Sequence, residues 1–192
     1  MQGIQICGYL WIAFYVLWIA WAFQSKKTQQ RDSSREQLPY RVLPLAALFL
    51  MFTPAWGIGW LSWLFSSIAP GWIWLGWAGV TITAAGFAIS IWARSCLGDN
   101  WSSAPGVKVE HQLIRSGPYR WVRHPIYTGL ILALAGTALA RNQWRGVIAV
   151  VMMWAAFAIK SQREEHYMRQ TFGSQYREYS QTTGRLTPRL RF

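Results

Sequence analysis

The sequence predicts an all-α integral membrane protein with five transmembrane segments, of which the last two form a tight helical hairpin. Two observations lead to this class. Hydrophobic residues make up 53% of the 192 residues and charged residues only 14%, a composition unusual for a soluble domain. The apolar residues are also gathered in long runs, and a helix needs ~20 of them to cross the hydrocarbon core of a bilayer.

Three apolar runs predict the first three helices. Residues 4–23, 43–65 and 71–93 contain no charged residue, and each run is long enough to cross a bilayer. The first run lacks a basic segment before it and a small-residue cleavage site after it, so we interpret it as a retained helix. We expect Pro54 to kink the second helix, because neighbouring helices can satisfy the freed backbone groups. The third run has small residues that allow close helix packing, namely Gly76, Gly79, Ala84, Ala85 and Gly86.

Two shorter apolar runs predict the hairpin. Residues 126–140 and 146–159 are separated by only five residues, and each gives an apolar helix of about 22 Å. We expect the two basic residues of the turn, Arg141 and Arg145, to extend toward the membrane surface. The last helix should continue past Ile159 into water as an amphipathic helix.

The basic residues predict the orientation of the chain. If the loops 24–42 and 94–125 and the tail 160–192 share one side, they hold 5, 5 and 7 Lys and Arg residues, 17 of the 19 in the chain. Only Arg141 and Arg145 lie on the opposite side. The positive-inside rule then places both loops and the C-terminus in the cytoplasm and the N-terminus outside.

This topology divides the chain into two parts. Residues 1–93 hold three transmembrane helices with the cytoplasmic loop 24–42. Residues 94–192 hold a cytoplasmic loop, the helical hairpin at 124–160, and a C-terminal cytoplasmic helix and tail. The net charge of +12 is explained by basic loops beside an anionic leaflet. We therefore expect membrane lipids as partners and no nucleic acid.

Polar residues crowd the start of the fourth segment, where residues 117–129 read GPYRWVRHPIYTG. Pro is favoured at the first position of a helix, which makes His124 the residue that precedes the first turn. The free amides and the dipole of that turn, together with Arg120 and Arg123, form a natural seat for a carboxylate or phosphate. The alternative is that both Arg residues only anchor the helix at the membrane surface.

A second polar cluster follows the last apolar run. Residues 160–166 read KSQREEH, and a hairpin would bring them to the same membrane face as His124. The alternative is a solvated helix end with ordinary salt bridges between residues four apart. His111, His124 and His166 lack the spacing of metal ligands, so we expect no metal site.

Spaced motifs in the second half of the chain match one family. They are Leu97-Gly-x-x-Trp-Ser, His111-x-Leu113-x-x-x-Gly117-Pro-Tyr119, Arg123-His-Pro-x-Tyr127-x-Gly129, Glu164-Glu165, and Phe172-Gly-x-x-Tyr176-x-x-Tyr179 leading to Arg185-Leu-x-Pro188. Their order and spacing resemble the isoprenylcysteine carboxyl methyltransferases. These are integral membrane methyltransferases that look related to phospholipid N-methyltransferases.

The resemblance implies S-adenosylmethionine as methyl donor and S-adenosylhomocysteine as product, in a pocket at the cytoplasmic membrane face. It implies catalytic roles for His124, Arg163 and Glu164, where Arg163 faces cofactor or acceptor. It implies a cofactor pocket formed by nine residues: Leu113, Gly117, Tyr119, Arg123, His124, Pro125, Tyr127, Glu164 and Glu165. Of the last two, the sequence does not decide which Glu contacts the cofactor.

The acceptor is less defined. The short chain resembles a prokaryotic member in an inner or plasma membrane, so we expect a lipid-like or small amphiphilic acceptor with a carboxylate, thiol or amine. The sequence leaves the oligomeric state open. Two alternatives remain: a membrane reductase of the sterol-reductase type with a nicotinamide cofactor, or a non-enzymatic membrane scaffold whose polar clusters are only anchors.

Overall fold

Five α-helices make up the described part of the protein. The computed structural model describes residues 2–22, 34–54, 59–70, 72–98, 101 and 113–189. Within these ranges the helices are α1 (Gln2–Ala22), α2 (Ser34–Phe52), α3 (Trp74–Leu97), α4 (Pro125–Arg141) and α5 (Trp144–Thr182), with 3-10 helices at Gly59–Phe65 and Gly117–Arg120. These residues form no strand beyond two isolated bridges, which agrees with the predicted all-α class.

The pair α3 and α4 has the most extensive helix contact. The two backbones touch, since a Cβ added to Gly86 would lie 2.5 Å from the Ala133 nitrogen. Two hydroxyls of α3 donate across this contact: Thr83 to the Ala133 carbonyl and Ser90 to the Ile126 carbonyl, each at 3.1 Å. Gly79 and Gly86 of the third apolar run therefore serve close helix packing, as predicted, whereas Ala84 and Ala85 are exposed.

Helix α1 covers the α3–α4 pair. The Trp11 indole donates to the Thr137 hydroxyl of α4 at 3.0 Å. Phe14 stacks on Phe87 of α3, with ring centroids 4.5 Å apart. In an apolar layer, the indole N–H needs such a partner, because an unsatisfied polar group there is costly.

The second predicted helix is wrong as a single span of residues 43–65. Helix α2 begins at Ser34, inside the predicted loop 24–42, and ends at Phe52. The apolar residues beyond include the separate 3-10 helix Gly59–Phe65. Pro54 offers no amide to continue the helix, so the helix ends before this Pro instead of bending at it.

The hairpin of α4 and α5 is confirmed, but one predicted role at its turn is wrong. Asn142 adopts a left-handed conformation with φ 52° and ends α4. Arg145 does not extend to the membrane surface, because its side chain is buried. It donates to the Thr53 carbonyl at 2.5 Å and lies over the Phe65 ring. Arg141 also donates to the Thr53 carbonyl, at 3.2 Å, so the turn caps the end of α2.

Three helices are long and apolar enough to cross a membrane: α3, α5, and α1 up to Trp21, while α4 is a shorter apolar helix. This supports an integral membrane protein. Helix α5 continues past Ile159 to Thr182, as predicted, with a kink at Gly173. The count of five segments, their orientation and the division after residue 93 stay predictions. Parts of the predicted loops, including His111, lie outside the described residues.

Candidate active site

A short segment after α5 holds the start of α4 in place. We call residues 183–186 the C-terminal strap. The amide of Arg123 donates to the Gly184 carbonyl at 2.9 Å, and the amide of His124 donates to the Arg185 carbonyl at 3.1 Å. These two bonds fix the backbone of the residues that precede α4 against the end of α5, so the polar clusters predicted from the sequence meet.

Glu165 is the buried anion of the site. Its carboxylate Oε1 accepts from Arg123 Nε at 2.8 Å, and the Glu165 side chain is almost fully buried. Arg123 Nη1 donates further to the carbonyls of Ser180 and Thr183. A buried carboxylate is tolerated only when paired and hydrogen-bonded. Arg123 therefore supports Glu165 and ties it to the end of α5.

Glu164 contacts the residues at the start of α4. Its Oε1 accepts from the Tyr127 hydroxyl at 2.5 Å, and its Oε2 lies 3.3 Å from His124 Nδ1. The Tyr127 ring stacks between His124, at 5.6 Å and 5°, and Phe157, at 4.6 Å and 8°. Lys160 Nζ lies 5.2 Å from the Tyr127 ring centroid. The result is a polar site with an aromatic wall.

His124 joins the two carboxylates. Its ring is buried, and its Nε2 lies 3.5 Å from Glu165 Oε1. This nitrogen has no hydrogen-bond partner among the described residues. Burial favours the neutral ring, but the neighbouring carboxylates of Glu164 and Glu165 outweigh burial and raise the pKa of His124. A buried polar atom without a partner needs an explanation, and a ligand group that would complete the site is one.

The 3-10 helix Gly117–Arg120 packs beside this cluster. Gly117 has φ 58°, and a Cβ there would lie 2.6 Å from Cys96 Sγ, so only glycine fits. Tyr119 is buried, and its carbonyl accepts from the Tyr179 hydroxyl at 2.7 Å. Burial, and then the charge of Glu164, raises the pKa of Tyr119 well above its ordinary value. Tyr119 therefore stays neutral beside the cluster.

The other predicted residues lie at the edge of the cluster or apart from it. Pro125 is buried as the first residue of α4, and Leu113 is half-buried in the segment before Gly117. Arg163 is 43% exposed and pairs with Glu36 of α2 at 2.7 Å. Arg163 therefore lies in the contact between α2 and α5, on another side of α5 from Glu165.

Sequence reasoning missed three residues of the site. Phe157 lies seven residues before Glu164, a spacing that puts both on one helix face, so periodicity could have found it. The four-residue spacing of Lys160 and Glu164 indicates only an ordinary salt bridge. Arg185 lies 3.5 Å from Glu165 through its Nε. No local pattern predicts this contact, because it depends on the return of the C-terminal strap.

Comparisons with known proteins identify relatives of this chain. A family model described as phospholipid methyltransferase matches residues 74–175, which include α3, α4 and most of α5. A protein-S-isoprenylcysteine O-methyltransferase B of Arabidopsis thaliana is 39% identical over 72 residues, 37% of this chain and 36% of that protein. A protein-S-isoprenylcysteine O-methyltransferase of Dictyostelium discoideum is 24% identical over 94% of this chain and 74% of that protein.

A solved structure shares the fold. The structure of a eukaryotic intramembrane Ras methyltransferase, an isoprenylcysteine carboxyl methyltransferase, superposes with a TM-score of 0.60 at 22% identity, over 82% of this chain and 53% of that one. The matches to the Arabidopsis and rice relatives span only about two fifths of those proteins. The isoprenylcysteine methyltransferase relatives confirm the resemblance seen in the motifs. The family match covers more than half of this chain, and the protein therefore belongs to the phospholipid methyltransferase family.

Proposed function

We propose that this protein is an S-adenosylmethionine-dependent methyltransferase of the membrane, acting on a lipid-like or small amphiphilic acceptor. The observation that carries the proposal is the cluster of buried His124 and Glu165 with half-buried Glu164 and Tyr127, formed where α4 begins beside α5. A solvated helix end would not bury a charged cluster around an unpartnered ring nitrogen.

The residues present suit S-adenosylmethionine. Its ammonium and ribose hydroxyls match the carboxylates of Glu164 and Glu165, and His124 Nε2 is a buried polar atom with no hydrogen-bond partner among the described residues. The neighbouring rings of Tyr127 and Tyr119 suit its adenine and sulfonium. Leu113, Gly117 and Pro125 would shape the pocket by backbone and apolar contact. We assign Arg123 to the support of Glu165.

When bound, the cofactor supplies an activated methyl group for in-line displacement. The protein's task is then to align the acceptor with this methyl group and to keep water out. Tyr127 and Phe157 supply apolar surface on the side of α4 and α5. A carboxylate or thiolate acceptor needs no base. An amine acceptor must lose a proton, and Glu164 is placed to accept it.

The distribution of basic residues supports a membrane side for the site, and the names of the relatives support a class of acceptor. We place the site at the cytoplasmic face of the membrane, because 17 of the 19 Lys and Arg residues gather on that side in the predicted topology. The relatives are by name isoprenylcysteine methyltransferases, which supports a lipid-modified or lipid-like acceptor here. The family match favours this function over a reductase or a scaffold.

Calorimetry with S-adenosylhomocysteine on detergent-purified protein tests the proposal. We expect wild-type binding, and at least ~10-fold weaker binding for Glu164→Gln and Glu165→Gln, because each loses a charge-assisted contact. The matched control is Glu178→Gln, an exposed Glu on the far turn of α5, which should bind as wild type does. Absence of wild-type binding by folded protein contradicts the proposal.

A further inference from the structure

Around Glu164 and Glu165, positively charged side chains outnumber the carboxylates. Glu165 has Arg123, Arg169 and Arg185 within 4 Å, at 2.8, 3.8 and 3.5 Å. Glu164 adds a second carboxylate. Even with His124 neutral, three guanidinium groups face two carboxylates. A site with excess positive charge suits a ligand that brings an anionic group.

Arg123 is not available for that anionic group. Its guanidinium already donates to Glu165 through Nε and to the carbonyls of Ser180 and Thr183 through Nη1. Exchange of these bonds for a ligand would leave Glu165 buried without its closest partner, which is costly. The expectation that Arg123 binds a carboxylate therefore conflicts with its contacts.

Arg185, unlike Arg123, has a guanidinium that is partly exposed. Its side chain is 38% exposed, and its closest carboxylate contact is the 3.5 Å distance to Glu165 Oε1. Its backbone is fixed, because its carbonyl accepts from the amide of His124 at 3.1 Å. The guanidinium lies beside the Glu165 carboxylate, while part of it faces outward. Arg169 is more exposed, at 53%, and more distant, at 3.8 Å.

We infer that Arg185 binds the carboxylate of an amino-acid group whose ammonium lies at Glu165. The pair of Arg185 and Glu165 presents a cation and an anion side by side, which complements a zwitterion. His124 Nε2, buried and without a hydrogen-bond partner among the described residues, borders the same carboxylate. The C-terminal strap therefore contributes a ligand contact as well as holding α4. This inference rests on the proposed function.

A comparison of two ligands distinguishes a carboxylate-binding role of Arg185 from a structural role. S-adenosylhomocysteine carries the amino-acid group, whereas 5′-methylthioadenosine keeps the adenosine and thioether and lacks it. We expect Arg185→Gln to weaken S-adenosylhomocysteine at least ~10-fold, the loss of one charge-assisted hydrogen-bond pair, and to leave 5′-methylthioadenosine unchanged. Arg185→Lys should recover part of the loss. Arg177→Gln, an exposed position on α5, is the matched control.

The binding of the two ligands to Arg185→Gln distinguishes a ligand contact from a structural role. Equal loss of both ligands in Arg185→Gln would assign a structural role to Arg185 and overturn the inference alone, as would unchanged S-adenosylhomocysteine binding. If Arg185→Gln unfolds, Arg185→Lys gives the same comparison between the two ligands. Wild-type protein that binds neither ligand would overturn the proposed function and this inference together.

Discussion

Arg123 Nε and Glu165 Oε1 lie 2.8 Å apart, although 42 residues and a helical hairpin separate them in the chain. The pair joins the residues before α4 to the middle of α5. It is nearly buried on both sides, and Arg123 also binds two carbonyls at the end of α5. This contact closes the fold around the site and fixes Glu165 beside His124.

Removal of Arg123 should destabilise the protein. Arg123→Gln leaves the buried Glu165 without its closest cation, which we expect to cost about 3 kcal/mol in the free energy of unfolding. Arg163→Gln is the matched control, because Arg163 pairs with Glu36 where both side chains are 43% exposed, and loss of an exposed pair costs under about 1 kcal/mol. Thermal unfolding in detergent measures both, and equal losses would contradict the structure.

The α3–α4 contact should not tolerate a methyl group. In Gly86→Ala the new Cβ would meet the backbone of Ala133, and we expect a loss of roughly 1–3 kcal/mol from overpacking. Gly59→Ala is the control, since a Cβ at Gly59 meets no described residue within 4 Å. The melting temperatures of the two variants, measured in the same detergent, test this prediction. A Gly86→Ala protein as stable as the wild type would show that α3 and α4 lie further apart.

The stability of the protein should depend on pH through His124. Its pKa in the folded protein is raised, so its protonation stabilises the fold below the unfolded pKa of ~6.5, and this contribution is lost as the pH rises through the folded pKa. The stability difference between wild type and His124→Gln should therefore be largest near pH ~5.5 and shrink toward pH ~9. A stability difference between wild type and His124→Gln that grows with pH would contradict this prediction.

The orientation can be tested with single cysteines in a variant without Cys7 and Cys96. We expect Ser174→Cys, on the exposed end of α5, to react with a membrane-impermeant thiol reagent only from the cytoplasmic side. Ser66→Cys, exposed after the first 3-10 helix, should react only from the other side. Labelling of both positions from one side would contradict the predicted topology.

Periodicity and charge predicted the all-α class, the α4–α5 hairpin and the meeting of His124 with Glu164 and Glu165, because these follow from apolar runs and local spacing. The length of α2 did not follow, since its polar first turns gain stability from contacts such as Glu36 with Arg163, which lies 127 residues away. The burial of Arg145 depends on the Thr53 carbonyl at the end of another helix. Contacts with residues so distant in the chain leave no local pattern in the sequence, so neither feature could be predicted from it.

A crystal structure grown with S-adenosylhomocysteine tests the central claim most directly. The account predicts ligand density within hydrogen-bond distance of Glu164 or Glu165 and of His124 Nε2, with the adenine against Tyr119 or Tyr127. Density elsewhere, or a His124–Glu164–Glu165 cluster that stays closed and empty at saturating ligand, would contradict it.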